Sequence, residues 1–262
     1  MKLKGFGKYL TFGLRKEWLN NFFEDPENWL TSNYLGNKQV DAVISWLKDA
    51  EIIENSDKKK SKISLTHLGS ELSKVYSSYE KLVWQILWIN LSYNSSVVSW
   101  YISLPWGRTF SKSELIELIL DEDNSLKPRT IESGLNSLLN TFENSPLGSE
   151  FKIGIVTKKN NQRYVEKIGT NEVDPKAVLY SLYKYAFQNN KYDLTVSEFY
   201  NEKVTNGIYR EFGISKNEFL NILRYLQEKY SNLINVDLKA NLDNIHLKKE
   251  VNLNKLIDII SE

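Results

Sequence analysis

The segment from Leu82 to Gly107 constrains the fold of this 262-residue chain most strongly, because 26 consecutive residues carry no charge. Such a run is buried either in a bilayer or in a protein core. A cluster of polar residues interrupts its middle: Asn90, Ser92, Asn94, Ser95, Ser96 and Ser99. A bilayer would leave this cluster unpaired at mid-span. We therefore predict two buried helices that break near Asn94, with Ser95 or Ser96 capping the second, and no membrane association.

The charge balance limits how the chain can bind nucleic acid. Lys and Arg number 34 and Asp and Glu number 33, for a net charge of +1. This excludes the global positive charge of a histone-like protein, so any nucleic-acid contact has to come from local basic patches.

Several classes of chemistry have no sequence support. The chain has no cysteine, which excludes disulfides, thiolate zinc sites and cysteine nucleophiles. It has no Gly-rich phosphate loop, no HExxH and no GxSxG. The two histidines, His67 and His246, have no partner at metal-ligand spacing. We expect no catalytic residue, no metal site and no cofactor, and the lack of a signal peptide or lipidation motif predicts a cytoplasmic location.

The N-terminal part shows a helix followed by a basic hairpin. Apolar residues at helical spacing predict one helix that ends before Pro26 and a second that follows Gly36. A lysine-rich turn at 57–62 then separates apolar residues near Ile53 and Leu65, before Gly69 and a further helix at 70–76. This order is typical of a winged helix-turn-helix.

The same order recurs twice further along the chain. Ser111 and Asp174 are predicted helix caps, Ser111 with Glu114 as a capping box, and Ser215 is predicted to begin a later helix. Basic or alternating hairpins follow in 151–169 and 233–249. We predict a mainly helical α+β fold of repeated winged-helix-like modules around a Trp-rich helical centre. The expected segments are 1–77, 78–170 and 171–262.

The polar face of the helix after Gly36 and the basic hairpins are candidate DNA contacts, since amides can read adenine edges and lysines can bind phosphates. The candidate residues are Asn37, Lys38, Gln39, Lys58, Lys59, Lys60, Lys62, Lys127, Arg129, Lys158, Lys159 and Arg163. The alternative is that these hairpins are simply solvated, on a fold that mediates protein contacts.

Seven tryptophans also raise the question of stacking platforms for single-stranded nucleic acid. Trp84 and Trp88 are four residues apart on one predicted helix, which favours core packing. Trp100 and Trp106 are the better candidates for a partly exposed aromatic site.

The N-terminal motifs resemble a bacterial domain of unknown function, number four thousand and seven in its series. The matching residues are Phe6, Thr11, Phe12, Trp18, Leu19, Leu35, Gly36, Leu65, Thr66, Leu68 and Gly69. Many members of that family have a histidine two residues before the Thr-Phe pair, where this chain has Tyr9. Any function of that histidine would be lost here.

The resemblance implies a setting and a partner. Such domains accompany, or are fused to, proteins resembling phosphoadenosine phosphosulfate reductase, often near DNA-modification or phage-defence genes. We therefore expect a non-catalytic component that binds double-stranded DNA or acts as an adaptor, beside a reductase-like ATP pyrophosphatase. The alternatives are a pure protein-interaction module and a metal-dependent nuclease, which would use the Asp-x-Lys formed by Asp237 and Lys239.

Overall fold

A computed structural model of the chain describes residues 2–54, 63–239 and 242–261. Helices dominate, and the described residues also form two small antiparallel sheets, so the predicted mixed α+β class is confirmed. The N-terminal helices are α1 Lys16–Glu24, α2 Trp29–Ser32, α3 Asn37–Asp49 and α4 His67–Val75.

The central and C-terminal parts contain the remaining elements. The central ones are α5 Glu80–Asn94, α6 Ser96–Ser103, β1 Arg108–Ser111, α7 Lys112–Glu122, α8 Pro128–Glu143, α9 Pro146–Ser149, β2 Ile155–Lys159 and β3 Gln162–Lys167. The C-terminal ones are α10 Pro175–Asn189, β4 Asp193–Thr195, α11 Val196–Phe199, α12 Ile208–Phe212, α13 Lys216–Lys229, β5 Ile234–Asp237, β6 Asn244–Leu247 and α14 Leu253–Ser261.

The uncharged segment forms α5 and α6, which are buried and break at Ser95 as expected. Trp84 and Trp88 are fully buried in α5. Ser95 occupies the N-cap position of α6, although its side chain makes no capping hydrogen bond to the helix. None of the helices in the described ranges is long and apolar enough to span a bilayer.

The two sheets have the same topology. In each, a strand leads into helices, a hairpin follows, and the last strand lies between the first strand and its own hairpin partner, in the orders β1-β3-β2 and β4-β6-β5. The β2–β3 hairpin turns at Asn160 and Asn161, whose φ angles of 50° and 62° suit a tight turn of the mirror-image type.

The predicted caps begin their helices. The side chains of Ser111, Asp174 and Ser215 accept hydrogen bonds from backbone N–H groups in the first turns of α7, α10 and α13. Only half of the predicted capping box at Ser111 is present, because the Glu114 carboxylate pairs with Arg108 at 3.1 Å.

The start of α4 corrects a prediction. Gly69 lies inside this helix and does not precede it, because Thr66 is the N-cap and its Oγ1 accepts the Gly69 N–H at 2.9 Å. In the described residues, the expected strand pair near this point is reduced to one bridge between Ile53 and Leu65.

One hydrophobic core runs through all three predicted segments, from Leu3 to Ile260. The C-terminal helix α14 lies against α4, where His67 Nε2 and Asp258 Oδ1 are 2.7 Å apart. Lys184 of α10 binds Glu51, just beyond α3, with Nζ 2.6 Å from Oε1. The core therefore connects the segments to one another.

Candidate nucleic-acid interface

The predicted site on α3 is exposed at its first turn. Asn37 and Lys38 face solvent, whereas Gln39 is half-buried and its Oε1 accepts the Gly36 N–H at 3.0 Å. Gln39 therefore caps its own helix, which leaves Asn37 and Lys38 as the accessible members of this group. The candidates Lys58, Lys59, Lys60 and Lys62 lie outside the described residues.

The β2–β3 hairpin exposes two lysines, whereas its arginine is paired within the protein. Lys158 and Lys159 are exposed on β2. Arg163 instead turns back onto α8, where its Nη2 donates to Glu143 Oε2 at 2.8 Å and to Asn140 Oδ1 at 3.0 Å. Its side chain is only 16% exposed, so Arg163 fastens the hairpin to α8 and its charge is balanced by Glu143.

Lys127 and Arg129 lie at a cleft whose other side is formed by residues 3–8. These residues belong to the N-terminal segment, residues 3–14, which precedes α1. The cleft has a volume of about 490 Å³ and is lined by Lys4 and Lys8 as well as by the start of α8. Sequence reasoning missed these two lysines. The sequence signal that could have revealed them is the group of three lysines among the first eight residues, Lys2, Lys4 and Lys8.

Charge in the cleft is unevenly balanced. Lys8 forms an ion pair with Asp49, which also accepts a hydrogen bond from the Tyr9 hydroxyl. Burial raises the pKa of the Asp49 carboxyl above its ordinary value, and its contacts with Lys8 and Tyr9 oppose that rise. In the described part of the chain, no carboxylate forms an ion pair with Lys4, Lys127 or Arg129.

Lys127 is the N-cap of α8, and no side chain caps the first turn of this helix. Pro128 at the first position of α8 has no N–H, and the Thr130 N–H donates to the Lys127 carbonyl at 2.9 Å, so within the described residues the Arg129 N–H is the group of this turn that is open to a ligand. A free N–H at a helix start carries partial positive charge and favours anions. The cations of Lys4, Lys127 and Arg129 add to this field. The cleft is therefore suited to phosphate.

The N-terminal segment reaches this position by lying along α8. Phe6 packs directly on Gly134, and the Leu14 N–H donates to Thr141 Oγ1 at 2.9 Å. Gly13 approaches the α8 backbone so closely that a Cβ would lie 2.6 Å from the Ser137 carbonyl oxygen. The segment thus covers the face of α8 between its first and last turns.

Tyr9 occupies the position at which the resembling family often has histidine. It is fully buried, and its ring stacks on Trp46 with the centroids 3.5 Å apart. Burial raises its pKa well above the ordinary value for tyrosine. In this chain the position therefore belongs to the core.

The predicted aromatic site is corrected in part. Trp100 is only 6% exposed because Phe6 packs against it edge-on. Trp106 is half-buried, its Nε1 donates to the Tyr209 carbonyl at 2.9 Å, and Lys167 Nζ lies 4.2 Å from its ring centre. These contacts leave no open pair of rings for base stacking here.

No group of three or more histidine and acidic side chains that could hold a metal ion occurs within the described ranges. His246 pairs with Asp193, with Nδ1 and Oδ1 2.6 Å apart, and His67 pairs with Asp258. Asp237 Oδ1 accepts the backbone N–H of Lys239 at 3.4 Å. These contacts give the nuclease alternative no assembled metal site in this part of the chain.

Comparison with known proteins identifies a shared fold. No family model and no curated protein matches the sequence. A solved structure described as "SspB crystal structure" is similar, with a TM-score of 0.71 and 13% identity over 97% of this chain and 84% of that chain. One described as "Magnesium ion-bound SspB crystal structure" has a TM-score of 0.68 and 13% identity over 92% and 82%. At such identity, the similarity establishes the fold alone.

Proposed function

We propose that this chain is a non-catalytic, DNA-binding or adaptor component that acts beside a phosphoadenosine phosphosulfate reductase-like protein in bacterial DNA modification or defence. The observation that carries DNA binding is the cleft at the start of α8. There Lys4, Lys127 and Arg129 combine with an uncapped helix terminus, and no carboxylate pairs with these cations in the described residues. The association with a reductase-like protein rests on the N-terminal motif resemblance.

We also propose that the two sheet-containing segments are winged-helix modules. Their support is the shared order of strand, helices and hairpin, with the last strand between the other two. Helix-turn-helix proteins use such frames to place one helix in the major groove while neighbouring elements contact the backbone. The exposed Lys158 and Lys159 then lie on the hairpin of the central module.

Phosphate contacts in the cleft would give affinity without sequence preference, because the DNA backbone is the same for every sequence. Each neutralised phosphate releases counterions, so the affinity of the protein for duplex DNA should fall steeply with salt. Lys8 is expected to contribute less than Lys4, because Asp49 already balances its charge.

The combined variant Lys4→Ala/Lys127→Ala/Arg129→Ala tests this proposal. We expect its affinity for a random-sequence duplex to fall roughly tenfold or more, and the slope of log affinity against log salt to become shallower by about 2.7, which is about 0.9 for each lost contact. Fluorescence anisotropy of a labelled duplex at several salt concentrations measures both quantities.

A matched control removes three cations elsewhere. Lys74, Lys81 and Lys191 are exposed and pair with Glu71, Glu150 and Glu198. Their combined replacement by alanine changes the net charge equally and should alter the salt slope little. Equal losses in both variants would show that net charge alone drives binding. If the wild-type protein does not bind duplex at low salt, DNA binding is wrong and the protein-interaction alternative replaces it.

A further inference from the structure

The two modules differ in which helix remains open. In the shared topology, α8 and α13 are the longest helices between the first strand and the hairpin of each module. Helix α13 directly precedes its hairpin, whereas the short helix α9 separates α8 from its own. The N-terminal segment covers α8, with Phe6 on Gly134 and Gly13 against the last turns. Among the described residues, no equivalent segment lies on the outer face of α13, where Asn217, Asn221 and Arg224 are exposed.

Helix α13 has two clearly separated faces. Its inner face consists of Phe219, Ile222, Leu223 and Leu226, all buried. Its outer face carries Asn217, Asn221 and Arg224 at intervals of four and three residues, which places them in one stripe along the helix. The helix therefore presents polar groups in a row, although its packing requires only the apolar ones.

Contacts within the stripe orient these groups. Arg224 Nη1 donates to Asn221 Oδ1 at 3.1 Å, and Asn221 Nδ2 donates to Glu218 Oε2 at 3.3 Å. Tyr225 beside them is 45% exposed. Both hydrogen bonds of the stripe are exposed to solvent, so a ligand can replace them at little cost in free energy.

The chemistry of the stripe matches base edges. Asparagine forms two hydrogen bonds with adenine, and arginine forms two with guanine, both in the major groove. Lys216 and Lys229 at the two ends of α13 and Lys239 after β5 supply positive charge for the flanking phosphates. Glu218 and Glu228 reduce that charge, which favours a helix that selects sequence over one that binds any DNA tightly.

We propose that α13 enters the major groove of duplex DNA and reads bases through Asn217, Asn221 and Arg224, whereas the cleft at α8 holds phosphates only. This rests on the proposed function in one respect, namely that duplex DNA is the ligand. It assigns sequence preference to the C-terminal module, where none of the sequence-predicted contacts lies.

The test uses selection from a library of duplexes with a randomised centre. The wild-type protein is expected to enrich a short motif that contains adenine and guanine, and Asn221→Ala/Arg224→Ala is expected to abolish that enrichment. Affinity for the enriched duplex should fall roughly tenfold or more in this variant. Affinity for the unselected pool should change less than about threefold, since backbone contacts persist.

Arg108→Ala/Asn201→Ala is the matched control, because it removes the same two chemical groups from other exposed positions. It should enrich the same motif as the wild type. Unchanged unfolding midpoints in urea will show that both variants are folded.

The outcomes separate this proposal from the proposed function. If the wild type binds duplex but enriches nothing, or if Asn221→Ala/Arg224→Ala enriches the same motif, base reading by α13 is wrong and DNA binding stands. If the wild type binds no duplex at all, both proposals fail together.

Discussion

Replacing Gly69 with alanine is expected to lower the free energy of unfolding by about 3 kcal/mol. The Cβ of an alanine would lie far inside contact distance of the Ile52 carbonyl oxygen and 2.9 Å from the carbonyl carbon. Both are backbone atoms, so no side-chain rotation can relieve the overlap. Either α4 or the segment that follows α3 has to move.

That movement would break a group of hydrogen bonds. Thr66 fastens the start of α4 to this segment, since its N–H donates to the Ile52 carbonyl at 3.0 Å and its Oγ1 donates to the Glu51 carbonyl at 2.6 Å. Helix propensity alone predicts the opposite sign, because alanine is favoured over glycine inside a helix by about 1 kcal/mol. A lower free energy of unfolding for Gly69→Ala would therefore show that the tertiary contact with Ile52 dominates, and a higher one that helix propensity does.

Urea denaturation of Gly69→Ala and Gly36→Ala provides the measurement. At Gly36, the other glycine of the Leu-Gly motifs, an added Cβ would be 3.7 Å from Gln39 Oε1, and φ is −70°, which alanine adopts readily. We expect this control to cost less than about 1 kcal/mol. Similar effects at the two glycines would contradict the close approach of α4 to Ile52.

Stability is expected to fall between about pH 5 and pH 7 because of Glu211. This carboxyl is completely buried in α12, and burial raises its pKa from 4.5 to about 7. The Ser181 hydroxyl donates to its Oε2 at 2.6 Å, and Ser92 Oγ lies 3.4 Å from Oε1. These hydrogen bonds and the charge of Lys184 oppose the rise in pKa but do not cancel it.

The direction follows from proton binding. Between the two pKa values the folded state holds a proton that the unfolded state has released, so raising the pH favours unfolding. The contribution is fully present below the unfolded pKa of 4.5 and is lost as the pH rises through the folded pKa of about 7. One pKa unit corresponds to about 1.4 kcal/mol, so the total loss is roughly 3 kcal/mol.

The variant Glu211→Gln isolates this effect, because glutamine keeps the shape and cannot ionise. We expect it to match the wild type near pH 4 and to be more stable than the wild type at pH 8, by roughly 3 kcal/mol. Urea denaturation at intervals across this range gives the difference. The exposed Glu228, changed to glutamine, should follow the wild-type profile, and a Glu211→Gln profile parallel to the wild type would contradict the assigned pKa.

Local signals predicted much of the secondary structure. Local sequence predicted the helix starts at Ser111, Asp174 and Ser215 and the break at Ser95, because each depends on a few adjacent residues. Gly69 misled the same reasoning, since a glycine inside a helix has the appearance of a boundary. Its actual role is to admit the Ile52 backbone, a contact between residues 17 positions apart.

The candidate site was less readable. Lys127 and Arg129 were predicted, but their neighbour Lys4 is more than a hundred residues away in the chain. Arg163 has the same charge as a free arginine, and only its distance to Glu143 shows that it is balanced within the protein. Trp100 was expected to be partly exposed, whereas Phe6 covers it.

The sequence by itself determined the mixed α+β class, the buried uncharged centre and the starts of several helices, because apolar periodicity and capping act over a few residues. Only the tertiary structure decided which helix is covered and which is open. The N-terminal segment packs on α8, whereas in the described part of the chain the outer face of α13 stays exposed, although both helices carry an apolar stripe. The exposure of a helix face depends on whether a distant part of the chain packs against it, and a local sequence pattern does not contain that information.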